Sequence, residues 1–236
     1  MSTYFFGGIS QSHMTRFVAV RDTYSNLENL LNVIDIINSS PDSRVDNSMG
    51  FDLAIFTGDV KRVLVRKPDG FFTMSLPFQL IDHGYNIVFN YDEFGLTMDT
   101  ATIFYLRNAI NTCREGTYCN DSVVYSLHES FGLDFNEAII YSDMLSSLLL
   151  KEHGYFRFDD DVVNSNAKIH PRYHFDFFCT NSSGIKIGIE RNVDGPFFIN
   201  LFDLTKDRPY IRHSAPDLGI NLPIALTQYL QNDLLV

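Results

Sequence analysis

Tryptophan is absent from this 236-residue chain, cysteine appears three times, and lysine plus arginine number 18 against 29 acidic residues. Each shortage excludes something. Cys113, Cys119 and Cys179 are an odd set without a CxxC pair. That excludes a disulfide framework and a zinc ribbon, and leads us to expect reduced thiols in a cytoplasmic protein. The net charge of -11 leaves no basic face of the kind a tight binder of nucleic-acid phosphates carries. A nucleic acid is therefore not expected as the primary partner. A basic protein partner is, because long-range attraction speeds its encounter with an acidic surface. No apolar run nears the ~18 residues a membrane span needs. The first residues, MSTYFFGGISQSHM, lack the basic and apolar regions of a secretion signal. A membrane partner is not expected.

What remains is rich in rings: 21 Phe and 12 Tyr. A chain of this length can bury a core of such residues without covalent staples. Ser25 and Glu28 form a capping box before Leu27, Leu30, Leu31, Ile34 and Ile37, which recur at helical spacing. Residues 97–113 are a second predicted helix. Asp134 and Glu137 cap a third, with Ala138, Tyr141, Met144, Leu145 and Leu148 on one broad face. Asn221 and Pro223 open a fourth, over 221–235.

Strands are predicted over 16–20, 51–56, 62–66, 71–76 and 85–91, with a Pro68-Asp69-Gly70 turn between the third and fourth. A second block covers 155–159, 172–179, 185–191 and 197–202. Strands come in runs instead of alternating with helices. That predicts an α+β fold, antiparallel sheets packed against several helices. We find no repeat. Residues 1–236 read as a single α+β domain, and 116–130 is where a division could fall.

Other motifs carry little. His128-Glu129 reads as loop polarity before Gly132. Asp159-Asp160-Asp161 lacks the glycine and glutamate of a calcium-binding loop. Gly7-Gly8 is followed by no GK[ST].

One constellation stands out. In the segment 170–179, His170, Arg172, His174 and Asp176 alternate with Tyr173, Phe175, Phe177 and Cys179. In an extended chain, side chains two apart share a face. The aromatic row is expected to look into the core and the polar row away from it. Asn181 to Gly184 marks a turn. On the returning strand, Ile185, Ile187 and Ile189 alternate with Lys186, Gly188 and Glu190. The expected register sets Glu190 opposite His174 or Asp176. Gly188 on that face would leave room for a ligand near the backbone. Arg157 and Asp159, upstream, have the parity to join the same face.

Imidazoles and carboxylates in this arrangement suit a divalent metal that activates water. The expected metal ligands are His170, His174, Asp176 and Glu190, with His174, Asp176 and Glu190 as the catalytic groups. Arg157, Arg172 and Lys186 would clamp an anion. The plain structural alternative is a solvated sheet face with cross-strand ion pairs.

Asp176 before a turn and Glu190 after it resemble the PD-(D/E)xK nuclease core, which implies magnesium and nuclease activity. That core places a lysine two residues after the glutamate. This chain has Asn192 there, and Lys186 would have to substitute. The FRFD segment followed by HPRYHFDF also resembles uncharacterised bacterial domains in which an arginine–aspartate strand precedes a His-Pro-x-x-His strand. It spans residues 155–189. The resemblance implies an accessory component of bacterial defence or toxin-related systems.

Three functions follow as expectations. The first is a protein-interaction or regulatory module such as an accessory subunit, inhibitor or antitoxin. The second is a metal-dependent phosphodiesterase or nuclease. The third is a sensor of nucleotides or small anions.

Overall fold

A computed structural model of the chain describes residues 2–18, 20, 22–46, 50–116, 119–151, 153–166, 169–177 and 186–206. The chain divides into a body, Met1–Asp203, and a unit, Leu204–Val236. The expected helix over 221–235, Cys179 and the Asn181 to Gly184 turn all lie outside the described residues.

The fold is α+β. Its strands are β1 (Thr3–Phe6), β2 (Arg44–Val45), β3 (Leu53–Phe56), β4 (Arg62–Lys67), β5 (Gly70–Ser75), β6 (Gln79–Asp82), β7 (Ile87–Tyr91), β8 (Leu96–Thr97), β9 (Phe156–Asp160), β10 (Tyr173–Phe177) and β11 (Lys186–Gly188). Its helices are α1 (Gln11–Met14), α2 (Thr23–Ser39), α3 (Thr100–Glu115), α4 (Asn120–Phe131), α5 (Phe135–Leu150) and α6 (Gly195–Phe202). Eight strands form one sheet in the order β11-β10-β9-β5-β4-β3-β1-β2, and β6-β7-β8 form a second. Every paired neighbour is antiparallel. Among the described residues no helix is long and apolar enough to cross a membrane.

Alternation along the strands builds two cores. On one face of the large sheet Leu53, Ile55, Val63, Val65, Phe72 and Met74 meet Leu31, Ile34, Leu106, Leu127 and Leu145 of the helices. On the other, Ala54, Phe56, Leu64, Phe71 and Phe158 meet Phe198 and Phe202 of α6.

Three expectations are corrected. Residues 197–202 are helix, not strand. The Asp194 carboxylate accepts from Phe197 N at 3.0 Å, and Pro196 sits in the first turn. Phe198 and Phe202, four apart, then share the buried face. Arg16, Phe17 and Val18 are not strand, because the buried Asn29 side chain takes both backbone groups of Val18, at 3.0 and 2.8 Å. Of residues 85–91 only Ile87–Tyr91 are strand, and they belong to the second sheet instead of extending the meander.

Two boundaries also move. The first long helix is capped by Asp22, whose carboxylate accepts from Ser25 N at 2.7 Å. His128 lies on a helix, α4, which ends at Gly132 in the left-handed region at φ 69°. Of the third cap the Asp134 half is present: its carboxylate accepts from the amides of Asn136 and Glu137.

The Pro68-Asp69 turn delivers Gly70 to the strand that carries the site. A Cβ at Gly70 would lie 2.0 Å from the Phe158 carbonyl oxygen. Only glycine lets β5 and β9 pair in this register.

Candidate active site at the β9, β10 and β11 edge

β10 pairs with β9 so that His174 lies opposite Asp159 and Asp176 opposite Arg157. With β11, His174 lies opposite Gly188 and Asp176 opposite Lys186. The aromatic partners face the α6 side, where Phe175 touches Phe156, Phe158, Phe197 and Phe198. The polar face continues the plane of the main core. Phe72 lies beside Arg157 across the β5–β9 ladder.

This polar face is only partly solvated. The His174 side chain is fully buried at 0%, while Asp176 keeps 18% and Asp159 26% of their exposure. The imidazole is held at both ends. Its Nδ1 is 2.8 Å from the Pro171 carbonyl oxygen, so Nδ1–H donates there. Nε2 then presents a lone pair, and the Lys186 ammonium donates to it at 2.9 Å. The same ammonium reaches both Asp176 oxygens, at 2.8 and 2.9 Å. On the other side, Arg157 donates to Asp176 Oδ2 from Nε at 3.0 Å and Nη2 at 2.5 Å, and Nε lies 2.9 Å from Asp159 Oδ2.

The two carboxylates are driven apart. Burial is the main influence on Asp159 and pushes its carboxyl above the ordinary carboxylate range, with Arg157 opposing and the charge of Asp176 adding to the rise. Burial acts on Asp176 in the same sense. Hydrogen bonds from Lys186 and Arg157 outweigh it and hold this carboxyl below the usual value. Adjacent acids with diverging proton affinities divide the labour of acid–base chemistry: one takes up a proton more readily, the other gives it up more readily.

Asp159, His174 and Asp176 each offer a donor atom within 4.8 Å of the others. One imidazole nitrogen and two carboxylate oxygens suit a divalent cation with open positions. An Nδ1–H fixed on a backbone carbonyl is also how metal-ligating histidines are oriented. The donor set fits, but the Lys186 ammonium stands among it and must withdraw for a metal to enter.

The expected site is thus partly assembled. Arg157, His174, Asp176 and Lys186 converge, and Asp159, legible by parity alone, joins them. His170 does not enter the metal set. Its ring stands edge-on to His174 at 4.8 Å, and its Nε2 lies 3.2 Å from Asp161 Oδ2, out of line for a hydrogen bond. Arg172 turns away, donating to Asp160 at 2.6 Å and covering the Tyr173 ring.

Glu190 lies exposed beyond the end of β11, so its expected place opposite His174 or Asp176 is corrected. The strand pairs two residues short of one expected register and four short of the other. Gly188 explains why: a Cβ there would sit 2.6 Å from Pro171 Cγ. The glycine makes room for the proline of the HPRYH segment, not for a ligand.

No protein-family model, no curated protein and no solved structure matches this chain.

Proposed function

We propose that this chain is a hydrolase of anionic esters, phosphodiesters in the first place, working at Asp159, His174 and Asp176 with a divalent metal. The observation that carries the reading is the split carboxylate pair around a buried imidazole whose lone pair faces a cation position. A charged, half-buried network of this kind is weak evidence of stabilisation, because desolvation offsets much of the attraction. Its grouping of perturbed acids is what acid–base sites need.

The roles follow from the atoms. Asp159, whose proton affinity burial raises, is the member of the pair suited to take a proton from an attacking water and pass it to the leaving alkoxide. His174 Nε2, once Lys186 moves, would be the imidazole ligand of the metal. Asp176 stays ionised and holds cations. Arg157 and Lys186 supply positive charge for the phosphoryl oxygens. A metal bound by Asp159, His174 and Asp176 would polarise the phosphoryl group or the water.

The test is hydrolysis of bis-p-nitrophenyl phosphate and of single-stranded and duplex nucleic acid, with magnesium, manganese or zinc. Metal-dependent cleavage that is lost in both His174→Ala and Asp176→Asn is expected. An absence of heat on metal titration together with an absence of turnover removes the reading.

A further inference from the structure

A second feature lies apart from these residues, on the α4–α5 hairpin. From Asn120 to Leu150 the sequence carries Asp121, Glu129, Asp134, Glu137 and Asp143 and no lysine or arginine. Asp134 is engaged as the α5 cap. Asp121, Glu129, Glu137 and Asp143 are exposed and make no ion pair among the described residues.

The same hairpin exposes large apolar side chains. Tyr125 is 57%, Phe135 47%, Ile139 46% and Phe131 40% exposed. Tyr125, Phe135 and Ile139 are neighbours, while Phe131 packs on Tyr105 of α3. The Tyr125 and Phe135 rings meet edge to face at 5.7 Å across the two helices. Ile139 follows Phe135 by four residues, one turn along α5, on the same stripe. The inner faces of the helices are already spent on the core, through Val123, Leu127, Ala138, Leu145 and Leu148. The outer stripe is therefore a second apolar face, which no core requires.

Charge follows the same lines. Asp121, Tyr125 and Glu129 are spaced four apart on α4, and Phe135, Ile139 and Asp143 on α5. Tyr125 is thus bracketed by carboxylates on its own helix face, and the Phe135–Ile139 stripe ends in one. Contiguous apolar surface with a polar rim marks an interaction site. With a rim of one sign, the complementary surface must pair apolar anchors with cations.

We infer that the outer face of α4 and α5 docks a basic amphipathic segment of a partner protein. Leucine-like side chains would seat on Tyr125, Phe135 and Ile139, and Lys or Arg would face Asp121, Glu129 and Asp143. An anionic lipid surface is the wrong sign for this face. A second copy of the chain would bring the same acids together.

The probe is a fluorescent helical peptide of leucine and lysine, titrated into the full chain, with a leucine–glutamate peptide for comparison. The basic peptide is expected to bind and to lose affinity as salt rises. Phe135→Ser with Ile139→Ser, both at exposed positions, should weaken binding about tenfold or more. Asp121→Lys with Asp143→Lys should do the same without touching an apolar group. Far-ultraviolet circular dichroism and melting must match the parent for each variant. Equal binding of both peptides, or affinity unchanged in either double variant, overturns the proposal. So does a dimer of the parent chain that dissociates in Phe135→Ser, which would assign the face to a second copy. None of these outcomes touches the Asp159–His174–Asp176 reading.

Discussion

His174 Nε2 and the Lys186 ammonium lie 2.9 Å apart although the two residues are not cross-strand partners: His174 faces Gly188 and Lys186 faces Asp176. The lysine reaches diagonally across β10 and β11 to a lone pair that Pro171 has aimed at it. The protein thus fills a cation position with its own side chain.

Replacing that cation is the most direct probe. Lys186→Met leaves His174 Nε2 without its donor and Asp176 with Arg157 alone. Loss of about 2 kcal/mol is expected in metal-free buffer, for a partly buried charge pair that loses one member. Manganese or zinc should raise the melting temperature of the variant more than that of the parent. A variant indifferent to both metals would separate the lysine from any metal position.

The carboxylates should answer to pH in opposite senses. Asp176 has its folded value below the unfolded one, so its stabilisation is full above pH ~4 and fades as pH falls through the depressed value. Asp159 has the reverse shift. The folded state binds its proton more tightly, so stability declines as pH rises from ~4 through the elevated value. Urea unfolding should therefore show Asp176→Asn weakened by about 2 kcal/mol at neutral pH and converging with the parent in acid. Asp159→Asn should lack the parent's decline with rising pH. Parallel curves for the two variants would contradict the split.

Gly70→Ala tests the contact that brings β9 to the sheet. Its Cβ would overlap the Phe158 carbonyl, and about 3 kcal/mol should be lost as β5 and β9 are forced apart. An unchanged urea midpoint would mean that the strands pair differently.

Phe198 is completely buried, whereas Phe175 is only half-buried. Phe198→Ala should cost about 3–5 kcal/mol and Phe175→Ala distinctly less. The reverse order in thermal melts would move the centre of the second core from α6 to β10.

The polar row on β10 and the parity of Arg157 and Asp159 could be read from alternation alone, since period two needs no tertiary information. The burial of that row could not. A row of His and Asp looks the same in sequence whether water or another strand lies over it. Here the imidazole is the most enclosed member and the phenylalanine beside it is partly open. The register of β11 also escaped, because it turns on the fit of Pro171 against Gly188. The helical state of 197–202 is legible in Asp194 and Pro196, but five apolar residues in six suit a strand equally well. α4 had its signals too, in Val123, Leu127 and Gly132. The mix of Asp121, Glu129 and several serines with exposed Tyr125 and Phe131 blurred the helical period.

β9 enters the sheet between β5, made far earlier in the chain, and β10, made soon after. During synthesis the β3–β4–β5 hairpins are finished before α3, α4 and α5 have been translated. At about 5–20 residues per second, Gly70–Ser75 then waits for several seconds with one backbone edge unpaired. That edge carries Phe71, Phe72 and Met74, and an open apolar strand is a template for pairing with other chains. A ribosome stalled before Phe156 would leave the nascent protein in this sticky state, so its yield in cells depends on how quickly the three helices are translated.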